Sequence, residues 1–221
     1  MSLLVKICGL TTPEALDAAL AGGADLVGFV FFPPSPRHLG FEAARWLAAR
    51  VAGRARKVAL TVDADDATFE AIVEALDPDI LQLHGTEPPA RVGELKRRFG
   101  IPVMKAIPVE AEADLASVPA YAAVADWLLF DARAPRAATR PGGLGKPFDW
   151  RLLRQVETRV PFMLSGGLDA GNVAEALDIV RPGAVDVSSG VERAPGEKDP
   201  DKILAFIRAA RAAALNRTSA A

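Results

Sequence analysis

A single cysteine, Cys8, stands among 221 residues, and tyrosine is equally scarce. One thiol cannot close an intrachain disulfide or build a cysteine-based zinc site, so a disulfide scaffold is excluded and a reducing compartment, the cytoplasm, is expected. An excess of one charge is also lacking. Lys and Arg number 26 against 28 Asp and Glu, a formal net charge of −2 that offers nothing for nucleic acid or an anionic membrane to grip. No apolar run reaches transmembrane length, and MSLLVKICGL, interrupted by Lys6, has neither the hydrophobic stretch nor the small-residue cleavage site of an export signal. Without such a signal, the acceptor-like tripeptide Asn216-Arg217-Thr218 is read as chance. No low-complexity linker divides the chain, so one domain over residues 1–221 is expected, its tail fraying from about residue 215.

Apolar material is ample, at 50% of residues, and its distribution alternates. Short β-rich runs (LVKIC, DLVGFVF, KVALTV, DILQLH, PVMKAI, WLLFD, PFMLSG and AVDVSS) are separated by longer segments with helical spacing. The helical segments are TPEALDAALAGG, with Thr12 as N-cap and Pro13 in the first turn, FEAARWLAARVAG, DATFEAIVEALD, PPARVGELKRRFG, VEAEADLASVPAYAA, FDWRLLRQV, DAGNVAEALDIVR and DPDKILAFIRAARAAALN. Eight strands each followed by a crossover helix predict an α/β fold, a single (β/α)₈ TIM barrel. An open doubly wound sheet is the competitor, but no GxGxxG follows the first strand, where a dinucleotide fold would carry it. The least regular stretch, ARAPRAATRPGGLGK, reads as a basic loop rich in Gly and Pro after strand six.

In a barrel the chemistry collects at the carboxyl ends of the strands. Strand alternation places Leu4, Lys6 and Cys8 on one face, with Cys8 at the mouth. The same count turns Ile80, Gln82 and His84, then Lys105, then Leu129 and Asp131, then Asp186 and Ser188 inward. Lys6, Gln82, Lys105 and Asp186 read as a compensated polar layer, because buried charges need partners; a Schiff-base role for either lysine is the sharper alternative. Cys8 is either a buried inert thiol or a reactive one, and Asp131 either caps its turn or works as an acid.

The glycine-rich pieces say more. SGGLDAGNV (165–173) and SSGVE (188–192) follow strands seven and eight, the place where many barrels bind phosphate through backbone N–H groups. Arg37 in Ser35-Pro36-Arg37, above strand two, has the fork for a carboxylate, or is a solvated loop arginine. His84 in QLHG is a candidate substrate contact, or a hydrogen-bonding group of the mouth.

Taken in order, Lys6-Ile7-Cys8-Gly9, GFVF with Ser35-Pro36-Arg37, Gln82-Leu83-His84-Gly85, LLFD ending at Asp131, GGLGKPFDW, SGGLDAGNV and VDVSSGVE with PGEKD resemble the phosphoribosylanthranilate isomerases, from Lys6 to the final helix. The resemblance implies a (β/α)₈ enzyme of tryptophan biosynthesis that performs an Amadori rearrangement on a phosphorylated small molecule, without metal or organic cofactor. It implies Cys8 as general base and Asp131 as general acid. Arg37 would bind the anthranilate carboxylate, and Gly166, Gly167, Ser189 and Gly190 the phosphate. The family contains monomers and homodimers, so either is expected. The two catalytic groups have opposite needs, since the acid must hold a proton and the base must lose one; inward Lys6 is a candidate source of positive potential for the thiol. A related aminoaldose isomerase of histidine biosynthesis would resemble this chain at the last two strands but end strand one with aspartate, and Cys8 speaks against it. A catalytically silent phosphate-binding barrel is the other alternative.

Overall fold

The computed structural model describes residues 3–134, 142 and 147–219. Eight parallel strands close into a barrel in chain order: β1 (Leu4–Cys8), β2 (Leu26–Phe31), β3 (Arg56–Thr61), β4 (Ile80–Leu83), β5 (Val103–Val109), β6 (Trp127–Ala132), β7 (Phe162–Leu164) and β8 (Ala184–Val187). The seam joins β1 to β8, with Lys6 directly opposite Asp186. Closure replaces the open sheet that periodicity alone left standing.

Around the barrel run α1 (Pro13–Ala21), α2 (Phe41–Val51), α3 (Asp66–Leu76), α4 (Pro89–Phe99), α5 (Val118–Ala122), α6 (Val173–Ile179) and α7 (Pro200–Ser219). Local chemistry sets their ends. Thr12 caps α1 by accepting from Ala15 N at 3.3 Å, with Pro13 pre-set for the first turn. Asp65 caps α3 through Thr68 N at 2.9 Å. Gly100, at φ 66°, closes α4 by donating to Lys96 O. The last helix continues to Ser219.

Two of the expected helices take another form. In VEAEADLASVPAYAA, Glu112–Ser117 is a 3₁₀ turn and α5 begins only at Val118, because Pro119 has no N–H to donate and is tolerated only in a first turn. Trp150–Gln155 is likewise 3₁₀, with Asp149 accepting from Arg151 N at 3.0 Å. A short antiparallel hairpin, β9 (Glu192–Ala194) and β10 (Glu197–Lys198), follows the loop after β8 and has no counterpart among the expected elements. Of the basic loop 132–146, residues 135–141 and 143–146 lie outside the described residues.

The core has two layers. One packs the outward strand faces against the helices, among them Val5, Ile7, Phe29, Leu83, Phe130, Phe206 and Ile207, each buried branched or aromatic side chain contributing about 1.5–3 kcal/mol. The other fills the barrel itself with Leu26, Val58, Ile80, Met104, Ala106, Leu129, Met163 and Ala184. Lys105 belongs with the outer layer. Its neighbours Met104 and Ala106 point inward, so Lys105 projects toward the helices instead of into the barrel as its sequence position suggested, with Nζ 2.7 Å from Glu87 Oε2 and 2.7 Å from Gly85 O.

Candidate active site

At the carboxyl end of the barrel a pocket of about 1110 Å³ opens, and Cys8, Arg37, His84, Asp131, Gly166, Gly167, Ser188 and Ser189 all line it. Cys8 ends β1 and Asp131 lies near the end of β6, so two strands separate them around one side of the barrel and four around the other. They reach the mouth from different walls.

Beneath Cys8, Lys6 is fully buried and donates to Asp186 Oδ1 at 2.8 Å, while Ser165 Oγ donates to Asp186 Oδ2 at 3.1 Å. This satisfies the charges that two inward residues bring into the barrel. Burial pulls the Lys6 ammonium down, but Asp186 and Cys8 outweigh it and hold it above its ordinary value. A lysine kept protonated in this way is a poor Schiff-base nucleophile. Burial pushes the Cys8 thiol up; Lys6 and Lys198 draw it back and Asp186 opposes them, and the balance stays above the usual thiol range. Lys6 therefore acts in the expected direction without overcoming desolvation. Gly28 on the neighbouring strand leaves room for the thiol, since a Cβ there would lie 2.9 Å from Cys8 Sγ.

Asp131 is also buried, with Oδ1 accepting from Ala132 N at 2.9 Å and Oδ2 3.1 Å from His84 Nε2. Gln82 Nε2 lies 3.1 Å from His84 Nδ1, so three side chains form a row from the barrel interior to the acid. The loop carrying His84 is braced by Glu87, which accepts from Asp63 N and Gly85 N while pairing with Lys105. Gly142 lies against the same pair: a Cβ there would come 2.5 Å from Asp131 Oδ2.

The glycines of the loop after β7 are structurally required. Gly166 and Gly167 adopt φ 86° and 69°, and a Cβ on Gly166 would fall 2.4 Å from Ala132 N and 3.0 Å from Asp131 Oδ1. Asn172 Nδ2 ties Gly167 O at 2.9 Å, and Asp169 Oδ1 accepts from Gly171 N and Asn172 N. Ser189 lines the pocket, whereas Gly190 stands behind it, where a Cβ would sit 2.0 Å from Leu168 O. Gly190 thus lets the loops after β7 and β8 touch.

Arg37 is no solvated arginine. It is 4% exposed and grips Glu192 with Nε on Oε1 and Nη2 on Oε2, both at 2.7 Å. Lys198 reaches the same carboxylate at 2.6 Å and also donates to Ser188 O and Ser188 Oγ. Two cations share one anion, which leaves the wall beside Cys8 net positive. Burial alone would push the Glu192 carboxyl up, but Arg37 and Lys198 hold it below its usual range. Burial also draws the Lys198 ammonium below its ordinary value against the pull of Glu192. Glu192 and Lys198 escaped the sequence reading; the only trace of them was their place in VDVSSGVE and PGEKD.

Among the described residues no group of three or more His, Cys, Asp and Glu stands where it could hold a metal ion, and no helix is long and apolar enough to cross a membrane.

A sequence profile described as N-(5'-phosphoribosyl)anthranilate (PRA) isomerase matches residues 5–209. The N-(5'-phosphoribosyl)anthranilate isomerase of Bradyrhizobium diazoefficiens is 68% identical over 212 residues, covering 96% of this chain and 95% of its own. The crystal structure of phosphoribosyl anthranilate isomerase from Thermotoga maritima superposes with a TM-score of 0.86 at 38% identity, covering 95% of this chain and 99% of that one. A phosphoribosyl anthranilate isomerase in complex with reduced 1-(o-carboxyphenylamino)-1-deoxyribulose 5-phosphate gives a TM-score of 0.83 at 36% identity, with the same coverage.

Proposed function

The chain belongs to the N-(5'-phosphoribosyl)anthranilate isomerase family, and from that membership we propose how its own residues divide the reaction. The enzyme rearranges N-(5-phosphoribosyl)anthranilate to 1-(2-carboxyphenylamino)-1-deoxyribulose 5-phosphate in tryptophan biosynthesis. Asp131 donates a proton to the furanose ring oxygen as the bond from that oxygen to sugar carbon 1 breaks; the ring opens to a protonated Schiff base. The Cys8 thiolate then removes the proton from carbon 2, and the electron pair moves to form the carbon 1–carbon 2 double bond of an enolamine and neutralise the nitrogen. Tautomerisation to the ketone places a proton on carbon 1.

The observation that carries this reading is the convergence of Cys8 and Asp131 on one pocket whose remaining walls suit anions at two places. Gly166, Gly167 and Ser189 form the phosphate side, where loops after β7 and β8 bring backbone N–H groups together, and Gly190 behind them permits that close approach. Arg37 takes the anthranilate carboxylate, its guanidinium pre-oriented by Glu192 and its wall kept positive by Lys198. Anchored at both ends, the ribose lies between base and acid. His84 acts behind Asp131, as a partner of the acid more than as a substrate contact.

The free thiol supports a reducing compartment, the cytoplasm, and the near balance of charge supports a small anionic substrate over nucleic acid. The working unit is a monomer or a homodimer. The function is tested by supplying freshly formed phosphoribosylanthranilate, with the next pathway enzyme to draw off product, and following the loss of anthranilate fluorescence. A decay clearly above the spontaneous rate is expected; an unchanged rate would reject the assignment.

A further inference from the structure

The row from the barrel interior to the acid contains a side chain for which the reaction above has no use. Gln82 is fully buried on β4, and its Oε1 has no hydrogen-bond partner among the described residues. Its amide faces His84 Nδ1 at 3.1 Å, and His84 Nε2 faces Asp131 Oδ2 at 3.1 Å. The other oxygen of Asp131 accepts from Ala132 N, so a proton on this acid belongs on Oδ2, toward the imidazole.

A neutral imidazole has one donor and one acceptor nitrogen, which couples the two contacts. If the Gln82 amino group donates to Nδ1, the ring proton is on Nε2 and Asp131 Oδ2 can only accept; that arrangement suits a carboxylate that has already lost its proton. If Asp131 is loaded, Nε2 must accept, the ring proton is on Nδ1, and Nδ1–H needs an acceptor. A half turn of the Gln82 amide supplies one. It brings the partnerless Oε1 onto Nδ1–H and moves the amino group to the position Oε1 leaves.

We propose that Gln82 is a positioning residue that holds His84 in the Nδ1–H tautomer, with Gln82 Oε1 accepting from Nδ1–H and Asp131 Oδ2–H donating to Nε2. In this state an Asp131 that has given its proton to the sugar ring oxygen faces the Nε2 lone pair across 3.1 Å. The contact between Oδ2 and Nε2 is satisfied again once a proton returns between them, which readies the acid for the next turnover. The inference rests on Asp131 as the acid, and its test separates the two ideas, because the ring nitrogens of His84 report the row whatever Asp131 does in turnover.

The chain has two histidines, so ¹⁵N-histidine labelling of the full-length protein gives a simple spectrum, and a His38→Gln variant assigns it. The expected result is a protonated Nδ1 and an unprotonated, hydrogen-bonded Nε2 in His84. A protonated Nε2 with a bare Nδ1 would overturn the proposal. In Gln82→Met, which neither donates nor accepts a comparable bond, the Nδ1–H signature should be lost and kcat should fall by about 10- to 100-fold while KM stays within about threefold. Retention of both the tautomer and wild-type kcat in that variant would equally refute it.

Discussion

Cys8 is held between opposing influences, and their signs yield a prediction. Burial keeps the thiol above its ordinary range and Lys6 pulls it down, so the thiolate fraction at neutral pH is small and kcat/KM should climb with pH beyond neutrality on the limb that reports the base. Lys6→Met removes the downward pull and should move that limb to higher pH; a limb that stays in place would separate Lys6 from the thiol. The same change leaves Asp186 buried without its cation, and should cost about 3–5 kcal/mol in denaturant unfolding. Gly166→Ala tests the other side of the pocket. Its φ of 86° and the 2.4 Å approach to Ala132 N make any side chain a wedge beneath Asp131, so both stability and kcat should drop; unchanged kinetics would show that the loop is not set by this contact. At this scale the strand-end residues were the legible ones, because alternation along β1, β4, β6 and β8 assigns their faces. Lys105 was not, since β5 is apolar on both faces, as buried parallel strands are, and nothing local says which parity faces in.

The β9–β10 hairpin is the element that shapes the positive wall, bringing Glu192 and Lys198 onto Arg37 and Ser188. Its role was invisible in the sequence because two- and three-residue strands carry no periodicity, and the partners it joins lie 155 residues apart. Glu192→Gln should loosen the Arg37 fork and raise KM more than it lowers kcat; the opposite split would place Arg37 with the reacting atoms rather than the anchor. A pH effect follows with a defined sign. The folded Glu192 carboxyl lies below its usual range, so its contribution to stability is present above the unfolded value, about 4.3, and is lost as pH falls through the folded one. Acid unfolding of Glu192→Gln should therefore depend less steeply on pH below about 4 than wild type. The helices divide similarly. The cap Thr12 and the stop Gly100 announced α1 and α4, whereas Pro119 turned an expected helix after β5 into a 3₁₀ turn and a single short helix.

Across the whole molecule, closure of β1 against β8 makes the site. It sets Lys6 opposite Asp186 and brings the loop after β8, with Ser188 and Ser189, beside Cys8, while β6 presents Asp131 from another wall. An open sheet with the same strand order would leave β1 and β8 at opposite edges, and neither the ion pair nor the pocket would exist. Repetition of strand and helix made the barrel readable; the long-range pairs that furnish its mouth appear only once it closes. The central claim is that base and acid are separate groups in one closed pocket, and it is tested most directly by the turnover of Cys8→Ser and Asp131→Asn, with binding of reduced 1-(o-carboxyphenylamino)-1-deoxyribulose 5-phosphate measured alongside. Each variant should lose activity by about 10²- to 10⁴-fold while still binding that compound. Wild-type turnover in either would contradict the account.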